Sequence, residues 1–407
     1  MAPLLPKLIS DNQAGFVKGR LITENVLLAQ EIIHGMKESN DGGNLVIKLD
    51  MSKAYDRLSW EFLYNGDPLS PTLFIIAAEV LSTGLNLLNQ NPNFNGFSMS
   101  KSGPQINHLC YANELILFSF GERKSVNLLM KVLREYQEAS GQEINKDKTN
   151  FYTYGIQSRR NIRRLHKWTG YKHAKLPFTY LGCLIDTGRK TCNLFSDLAT
   201  KVLNKAGGWQ GNMLLVGGKT VILEHMLQSQ TLYLMAVLVP LMTIMKQIEM
   251  YFSNFFWGKK DDKNKYHWSS SEKMSYPYEE GGVGFKRLSD ICKAFATKKW
   301  WRFRNNDNLW ARFLKAKYCP RSNPISKKKN SKVSNAWKTM LNTRAEAEKY
   351  IIWRIAEGKV LFWWDTWTAF SPLNQLVNQN LKLGNNKVNE YMVDGAWDQT
   401  KLAEVLL

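Results

Sequence analysis

The sequence predicts an α+β first half followed by a mostly α-helical, strongly basic second half. Three observations carry this. Helical and strand periodicities alternate over residues 1–154, whereas helical rhythm dominates afterwards. The 407-residue chain has 55 Lys+Arg against 35 Asp+Glu, a formal charge of +20, and the surplus is lopsided. Residues 1–154 hold 14 basic and 16 acidic side chains, residues 155–407 hold 41 and 19, and 13 of the 14 tryptophans lie in the second part. Such asymmetry points to a polyanion-facing segment joined to something of different character. An apolar content of 44% is enough to build cores, which excludes a wholly disordered chain, and the length suits two or three domains.

Asn25 to Met36 places Val26, Leu27, Leu28, Ile32 and Ile33 at helical spacing. Gly42-Gly43 separates this helix from the short run Asn44-Leu-Val-Ile-Lys-Leu-Asp50, a strand ending in an acid. Gly66 to Pro71 is a turn-rich opening to a second apolar helix, Thr72 to Leu88. His108 to Phe118 reads as two short strands meeting at a tight turn around Asn113. Ser125 to Ala139 is an amphipathic helix stopped by Ser140-Gly141. A soft domain boundary falls near residues 155–160, where Arg159, Arg160, Arg163 and Arg164 begin the charge shift. A second falls in the polar loop Pro320 to Asn335, giving segments 1–154, 155–320 and 321–407.

Cys110, Cys183, Cys192, Cys292 and Cys319 are scattered, without a C-x-x-C pair or histidines at metal-ligand spacing. A reducing compartment is expected, with neither disulfide framework nor zinc site. The amino terminus lacks a signal-peptide core. Thr231 to Met245 is apolar but short and interrupted by Pro240, so a buried helix pair bent at the proline is expected rather than a membrane span. The expected location is nuclear or cytoplasmic, not secreted, with no membrane partner and no protein partner implied.

A strand ending in Asp50 beside a hairpin whose turn carries acid or amide groups supplies the parts of a two-metal phosphoryl-transfer site. Alone, this pattern also fits a capping aspartate. The surrounding motifs are more specific. Gln13-Ala-Gly-Phe-Val-Lys-Gly-Arg20, Lys48-Leu-Asp-Met-Ser-Lys-Ala-Tyr-Asp-Arg57 and Gly66-Asp-Pro-Leu-Ser-Pro-Thr-Leu-Phe74 occur in order. Tyr111-Ala-Asn-Glu114, Ser140-Gly-Gln-Glu-Ile-Asn-Lys-Asp-Lys-Thr149 and Tyr180-Leu-Gly182 follow, then Leu215-Val-Gly-Gly-Lys-Thr220, Phe255-Phe-Trp-Gly258, Gly281-Gly-Val-Gly-Phe285, Trp353-Arg-Ile-Ala-Glu-Gly358 and Phe362-Trp-Trp-Asp-Thr-Trp367. This ordered set closely resembles the reverse transcriptase of plant LINE-type, non-LTR retrotransposons.

The resemblance implies an incomplete right-hand polymerase palm and fingers, followed by a basic, mostly helical thumb and a Trp-rich carboxyl region. It also implies an RNA template and DNA primer, or duplex nucleic acid, as partners, with Mg2+ as cofactor. Asp50 would be the first metal-binding carboxylate, with Asn113 and Glu114 at the hairpin positions, leaving Asp50 and Glu114 as acidic ligands. Tyr55 would be the aromatic gate under the sugar. Lys18 and Arg20 would lie near template or triphosphate, and Gly66 and Pro68 would open the helix that positions template and nucleotide. Lys148 would face the leaving pyrophosphate, and Tyr180, Leu181 and Gly182 would form the primer grip. For Tyr55, Lys18, Arg20 and Lys148, the alternatives are a core aromatic and solvated surface cations.

Two departures bear on activity. The family's aromatic-Ala-Asp-Asp turn is Tyr111-Ala112-Asn113-Glu114 here, and a neutral amide cannot balance divalent cations. Ser59-Trp-Glu-Phe-Leu63 is followed after two residues by Gly66, where the family has several dozen more. Upstream endonuclease and first finger segments, and a downstream Cys/His cluster, are also expected of the family and are missing from this sequence. A catalytically inert protein is therefore expected. The alternatives are a non-catalytic RNA- or DNA-binding remnant and a pseudogene product without function. The sharpest nucleic-acid-binding candidate is Lys298-Lys299-Trp300-Trp301-Arg302-Phe303-Arg304, with Lys298, Lys299, Arg302 and Arg304 as phosphate contacts. Its alternative is an amphipathic helix that buries Trp301 and exposes its charges. Lys327 to Lys329 reads as a solvated loop or a nuclear-import patch.

Overall fold

A computed structural model describes residues 3–37, 43–52, 70–97, 103–154, 158–187, 214–260, 263–264, 266–328, 330, 333–377, 383–393 and 395–406. The chain forms two compact units. One comprises Met1–Cys292 with Asp307–Ala316, the other Lys293–Asn306 with Lys317–Leu407.

The first unit is built on a six-stranded mixed sheet. Its elements are α1 (Leu5–Leu8), α2 (Ile22–His34), β1 (Asn44–Ser52), α3 (Ser70–Leu88), β2 (His108–Tyr111), β3 (Glu114–Phe120), α4 (Arg123–Ser140), β4 (Glu143–Ile144), β5 (Asn150–Tyr154), α5 (Arg159–Thr169) and β6 (Lys172–His173). Strand order is β2-β3-β1-β5-β6, with β4 against the end of β1, and only the β5–β6 pair is parallel. The Val/Ile/Leu run of β1 thus sits at the centre, hydrogen-bonded on both edges.

Side chains alternate across a strand. Leu45, Ile47, Leu49 and Met51 point to one face of β1 and join Leu115, Leu117 and Phe151 in a core with α3, α4 and α5. The α4 face that enters this core is Val126, Leu129, Leu133 and Tyr136, the stripe the amphipathic pattern predicts. Its end is Gly141 at φ 70°, as Ser140-Gly141 signals. The apolar helix α3 likewise buries Phe74, Ile75, Leu81, Leu85 and Leu88 against this core. On the opposite face, Val46, Ile116 and Phe118 are buried, while Lys48 and Asp50 lie nearer the open end.

The second half departs from the expected helical character at its start. The sheet takes β6 from beyond residue 154, and a hairpin follows, β7 (Phe178–Tyr180) and β8 (Cys183–Ile185). Strands of two or three residues carry too few alternations to be legible in sequence. Helices then follow: α6 (Val216–Ile222), α7 (Gln228–Val237) and α8 (Met242–Trp257). The last two are separated at 238–241, where Pro240 predicts the break.

Further on come α9 (Ser271–Met274), α10 (Leu288–Asn305), α11 (Leu309–Tyr318) and α12 (Asn335–Lys349). In the second unit Trp300, Trp337 and Trp363 are buried in cores. Trp337 stacks on Tyr318 at 4.7 Å and meets Phe303 edge-on at 5.2 Å. Phe362 packs with Trp363, Trp367 and Tyr391. The four described cysteines are free thiols.

Candidate active site

Register places Asp50 directly opposite Glu114 on adjacent strands, the carboxylate juxtaposition that the sequence predicts. The hairpin turn between β2 and β3 is only Ala112-Asn113, with Tyr111 paired to Glu114. Ala112 has φ 51°, a conformation that L residues seldom adopt and that surrounding contacts must hold. Those contacts come from the Gln13-Ala14-Gly15 motif, which runs alongside β2. Gln13 Oε1 accepts from Gly15 N at 2.8 Å and from Ala112 N at 3.2 Å. Ala14 N donates to Cys110 O at 3.0 Å. A Cβ on Gly15 would stand 2.7 Å from Ala112 N, so glycine is required for this approach.

Around the carboxylates the partners are cations and amides. Asn113 Nδ2 donates to Asp50 Oδ1 across a long 3.5 Å, and Lys148 Nζ lies 3.8 Å from Asp50 Oδ2. Lys48, two residues before Asp50 and therefore on the same face, places Nζ 3.6 Å from Glu114 Oε2. Leu181 N donates to the same Oε2 at 3.5 Å. Among the described residues, two carboxylates thus face two ammonium groups and their formal charges cancel. The resemblance implies Mg2+, but this donor set does not fit two divalent cations. Its third ligand position is a neutral amide, and both acids already have cationic partners. Among the described residues there is no group of three or more His, Cys, Asp or Glu able to hold a metal.

The residues expected to grip the primer sit beside Glu114. Leu181 and Gly182, at φ 48° and 75°, form the two-residue turn of the β7–β8 hairpin, in the left-handed geometry that tight hairpins favour. Tyr180 OH donates to Asn25 Oδ1 at 2.9 Å, and Asn25 Nδ2 donates to Cys110 O at 2.9 Å. Buried Asn25 on α2 therefore ties this hairpin to β2. Burial holds the Tyr180 phenol far above its usual range, so it acts as a donor throughout. Tyr233 OH caps Leu181 O at 2.5 Å. Gln13, Asn25, Lys48 and Tyr233 were not assigned roles from sequence. Gln13 and Lys48 each open a motif, and all four act through contacts between distant segments.

Arg20 serves the loop rather than an exposed cleft. Its guanidinium donates to the carbonyls of Ser10, Gln13 and Ile9 at 2.5, 2.5 and 2.7 Å and pairs with Asp11 at 3.5 Å. It positions the segment that carries Gln13, leaving few donors for a phosphate. Lys18 is exposed on a turn. Tyr55, Gly66 and Pro68 lie outside the described residues.

Within the second unit, the basic aromatic segment differs from both sequence expectations. Trp300 and Phe303 are buried, whereas Trp301 is 45% exposed. Lys298 is exposed, and Lys299 and Arg302 are half-buried. Arg304 is buried: its Nε lies 3.1 Å from Glu348 Oε1, Nη2 pairs with Asp365, and the guanidinium sits over the Trp353 ring. Trp300 Nε1 donates to Glu348 Oε1 at 2.7 Å. Burial pushes the Glu348 carboxyl up, and Arg304 opposes this. A guanidinium held between buried Asp365 and half-buried Glu348 is a core element, because removing it would leave both charges without their cation.

A central acid strand, a hairpin that brings its turn against that acid, and a helical layer behind the sheet are consistent with a polymerase palm-like region. Residues 63–185 match the family model described as reverse transcriptase (RNA-dependent DNA polymerase). Over this segment the chain is similar to the reverse transcriptase family. An Arabidopsis thaliana protein named for ribonuclease H is 25% identical over 194 residues, 45% of this chain and 30% of that protein. An uncharacterized mitochondrial protein of the same plant is 26% identical over 136 residues, 32% of this chain and 88% of that protein. The transposon TX1 149 kDa protein of Xenopus laevis is 22% identical over 329 residues, 69% of this chain and 24% of that protein. The chain thus spans less than a third of the first and last of these relatives. They are consistent with a non-LTR retrotransposon reverse transcriptase, and the Arabidopsis relatives support a plant origin.

Proposed function

We propose that this is a reverse transcriptase-derived protein that holds nucleic acid without extending a primer. The observation that carries the reading is the Asp50 site, where Asn113 and Lys148 flank one carboxylate and Lys48 the other. Nucleotidyl transfer by two cations needs excess negative charge at this point, and the described residues supply none. The domain roles follow the resemblance: residues 1–154 as a fingers and palm remnant, 155–320 as a thumb-like basic region, and 321–407 as the Trp-rich end. A basic balance of 41 to 19 over residues 155–407 supports RNA template, DNA primer or their duplex as the ligand. Free thiols and the absence of zinc-ligand spacing suit a nuclear or cytoplasmic location.

Primer extension on an RNA template tests this directly, with the parent chain, Asp50→Ala, and the double variant Asn113→Asp/Glu114→Asp. No extension by the parent, and extension by the double variant, is the expected result. Extension by the parent that disappears in Asp50→Ala would overturn it. If both parent and double variant are silent, the inert reading stands and the lesion lies in the segment the family has between Leu63 and Gly66.

A further inference from the structure

We propose that the groove between α4 and α5 is a second, separate binding site for the backbone of single-stranded nucleic acid. The groove has a volume of about 810 Å³. From α4 it is lined by Arg123, Asn127, Met130 and Arg134, and from α5 by Arg164, Lys167 and Trp168. The α4 residues fall at i, i+4, i+7 and i+11, one stripe of the helix. This stripe is distinct from the Val126, Leu129 and Leu133 stripe that enters the core.

Among the described residues, four cations line the groove and no carboxylate does. Among the described residues, Arg123, Arg164 and Lys167 make no ion pair, and Arg134 makes only a 3.2 Å bond from Nε to its own helix at Met130 O. Glu138, one turn beyond Arg134, does not pair with it, and Glu135 pairs with Lys131. Like charges gathered this way repel one another, and a polyanion relieves the repulsion. Arginine forks suit phosphate oxygens, which they meet with two parallel donors. Trp168 is half-buried and packed against the core, so its ring is held at the groove edge. A fixed aromatic among phosphate-binding cations is the arrangement on which bases stack. Arg159, Arg160 and Arg163, all exposed on α5, extend the basic surface past the groove.

The groove does not belong to the carboxylate site. Asp50 and Lys48 lie on the even-numbered face of β1, and α4 and α5 pack on the odd-numbered face. A strand held here would be outside the palm cleft.

The test is fluorescence anisotropy of a labelled oligouridylate with the full chain across a salt series, comparing parent, Arg134→Gln/Arg164→Gln/Lys167→Gln, and Arg134→Lys/Arg164→Lys. Losing three phosphate contacts on a single strand should flatten the log–log salt slope by about 2. The glutamine variant should also bind at least tenfold more weakly, while the lysine variant keeps the parent's slope. Trp168→Phe should weaken binding a few-fold without changing the slope. Unchanged affinity and slope in the glutamine variant would overturn the proposal. So would competition by polyglutamate as effective as that by RNA, which would assign the groove to an acidic protein. Should the glutamine variant lose its melting transition, ultraviolet cross-linking of the parent decides. Adducts on peptides from residues 123–134 or 159–169 are expected, and adducts found solely elsewhere would refute the site.

Discussion

The side-chain amide of Asn113 lies 3.5 Å from Asp50 Oδ1 and donates to it. A second carboxylate at this position would repel Asp50, and a divalent cation would then be needed to hold the turn against the strand. The amide makes the same turn stable without one.

Restoring the acid should therefore create a dependence on metal. Asn113→Asp, assayed without divalent ions, should be less stable than the parent by roughly 1–2 kcal/mol through carboxylate repulsion. Added Mn2+ should recover this loss, and electron paramagnetic resonance should show saturable Mn2+ binding in Asn113→Asp/Glu114→Asp but not in the parent. Equal binding by both proteins would sink the charge explanation.

Gly15→Ala tests the clamp on the hairpin turn. The new Cβ would fall 2.7 Å from Ala112 N, inside any permissible contact, so the loop or the turn must move. Denaturant unfolding should show a loss of about 1–3 kcal/mol, the usual range for overpacking. A loss within experimental error would mean that the 12–15 segment does not press on the turn.

His108 gives the first unit an acid-sensitive point. The ring is fully buried, its Nδ1 faces Asn107 Oδ1 at 2.6 Å and its Nε2 faces Ser82 Oγ at 2.9 Å, an arrangement satisfied by the neutral ring. Burial lowers its pKa to about 3. The unfolded chain therefore binds a proton below the ordinary histidine range while the folded chain does not. Stability is fully present above about pH 6.5 and is lost as pH falls toward 3, by roughly 2 kcal/mol between pH 7 and pH 5. Melting curves of parent and His108→Gln over this range should diverge by that amount, with a flatter profile in the variant.

In the second unit, Arg304→Ala should destabilise by about 3–5 kcal/mol, because buried Asp365 and half-buried Glu348 would be left without their cation. Lys298→Ala, at an exposed position, should change melting little. If Arg304→Ala instead leaves melting unchanged and weakens RNA binding, Arg304 is a surface contact and its buried geometry is wrong.

Much of the palm is legible in the chain. The helix before Gly42-Gly43, the β-branched run into Asp50, the hairpin at Asn113 and the helix closed by Gly141 all have periods or turn residues that act over a few positions. Such local preferences operate before any tertiary contact exists. The acids of the site are legible one by one, Asp50 at the end of a strand and Glu114 after a tight turn, and only the ordered motifs imply that they meet. The cations that neutralise them were not: Lys48 pairs with a residue 66 positions away, and no spacing rule encodes that distance.

By itself, then, the sequence determined the alternation of elements, the uneven charge and the missing third acid. Only the tertiary structure decided how the basic residues divide. Arg20 and Arg304 turn inward because nearby carbonyls and buried carboxylates satisfy their donors, whereas Arg134, Arg164 and Lys167 remain along an open groove. Whether a charge is buried or presented depends on what folds over it, and that is a property of packing between segments, not of any one segment's composition.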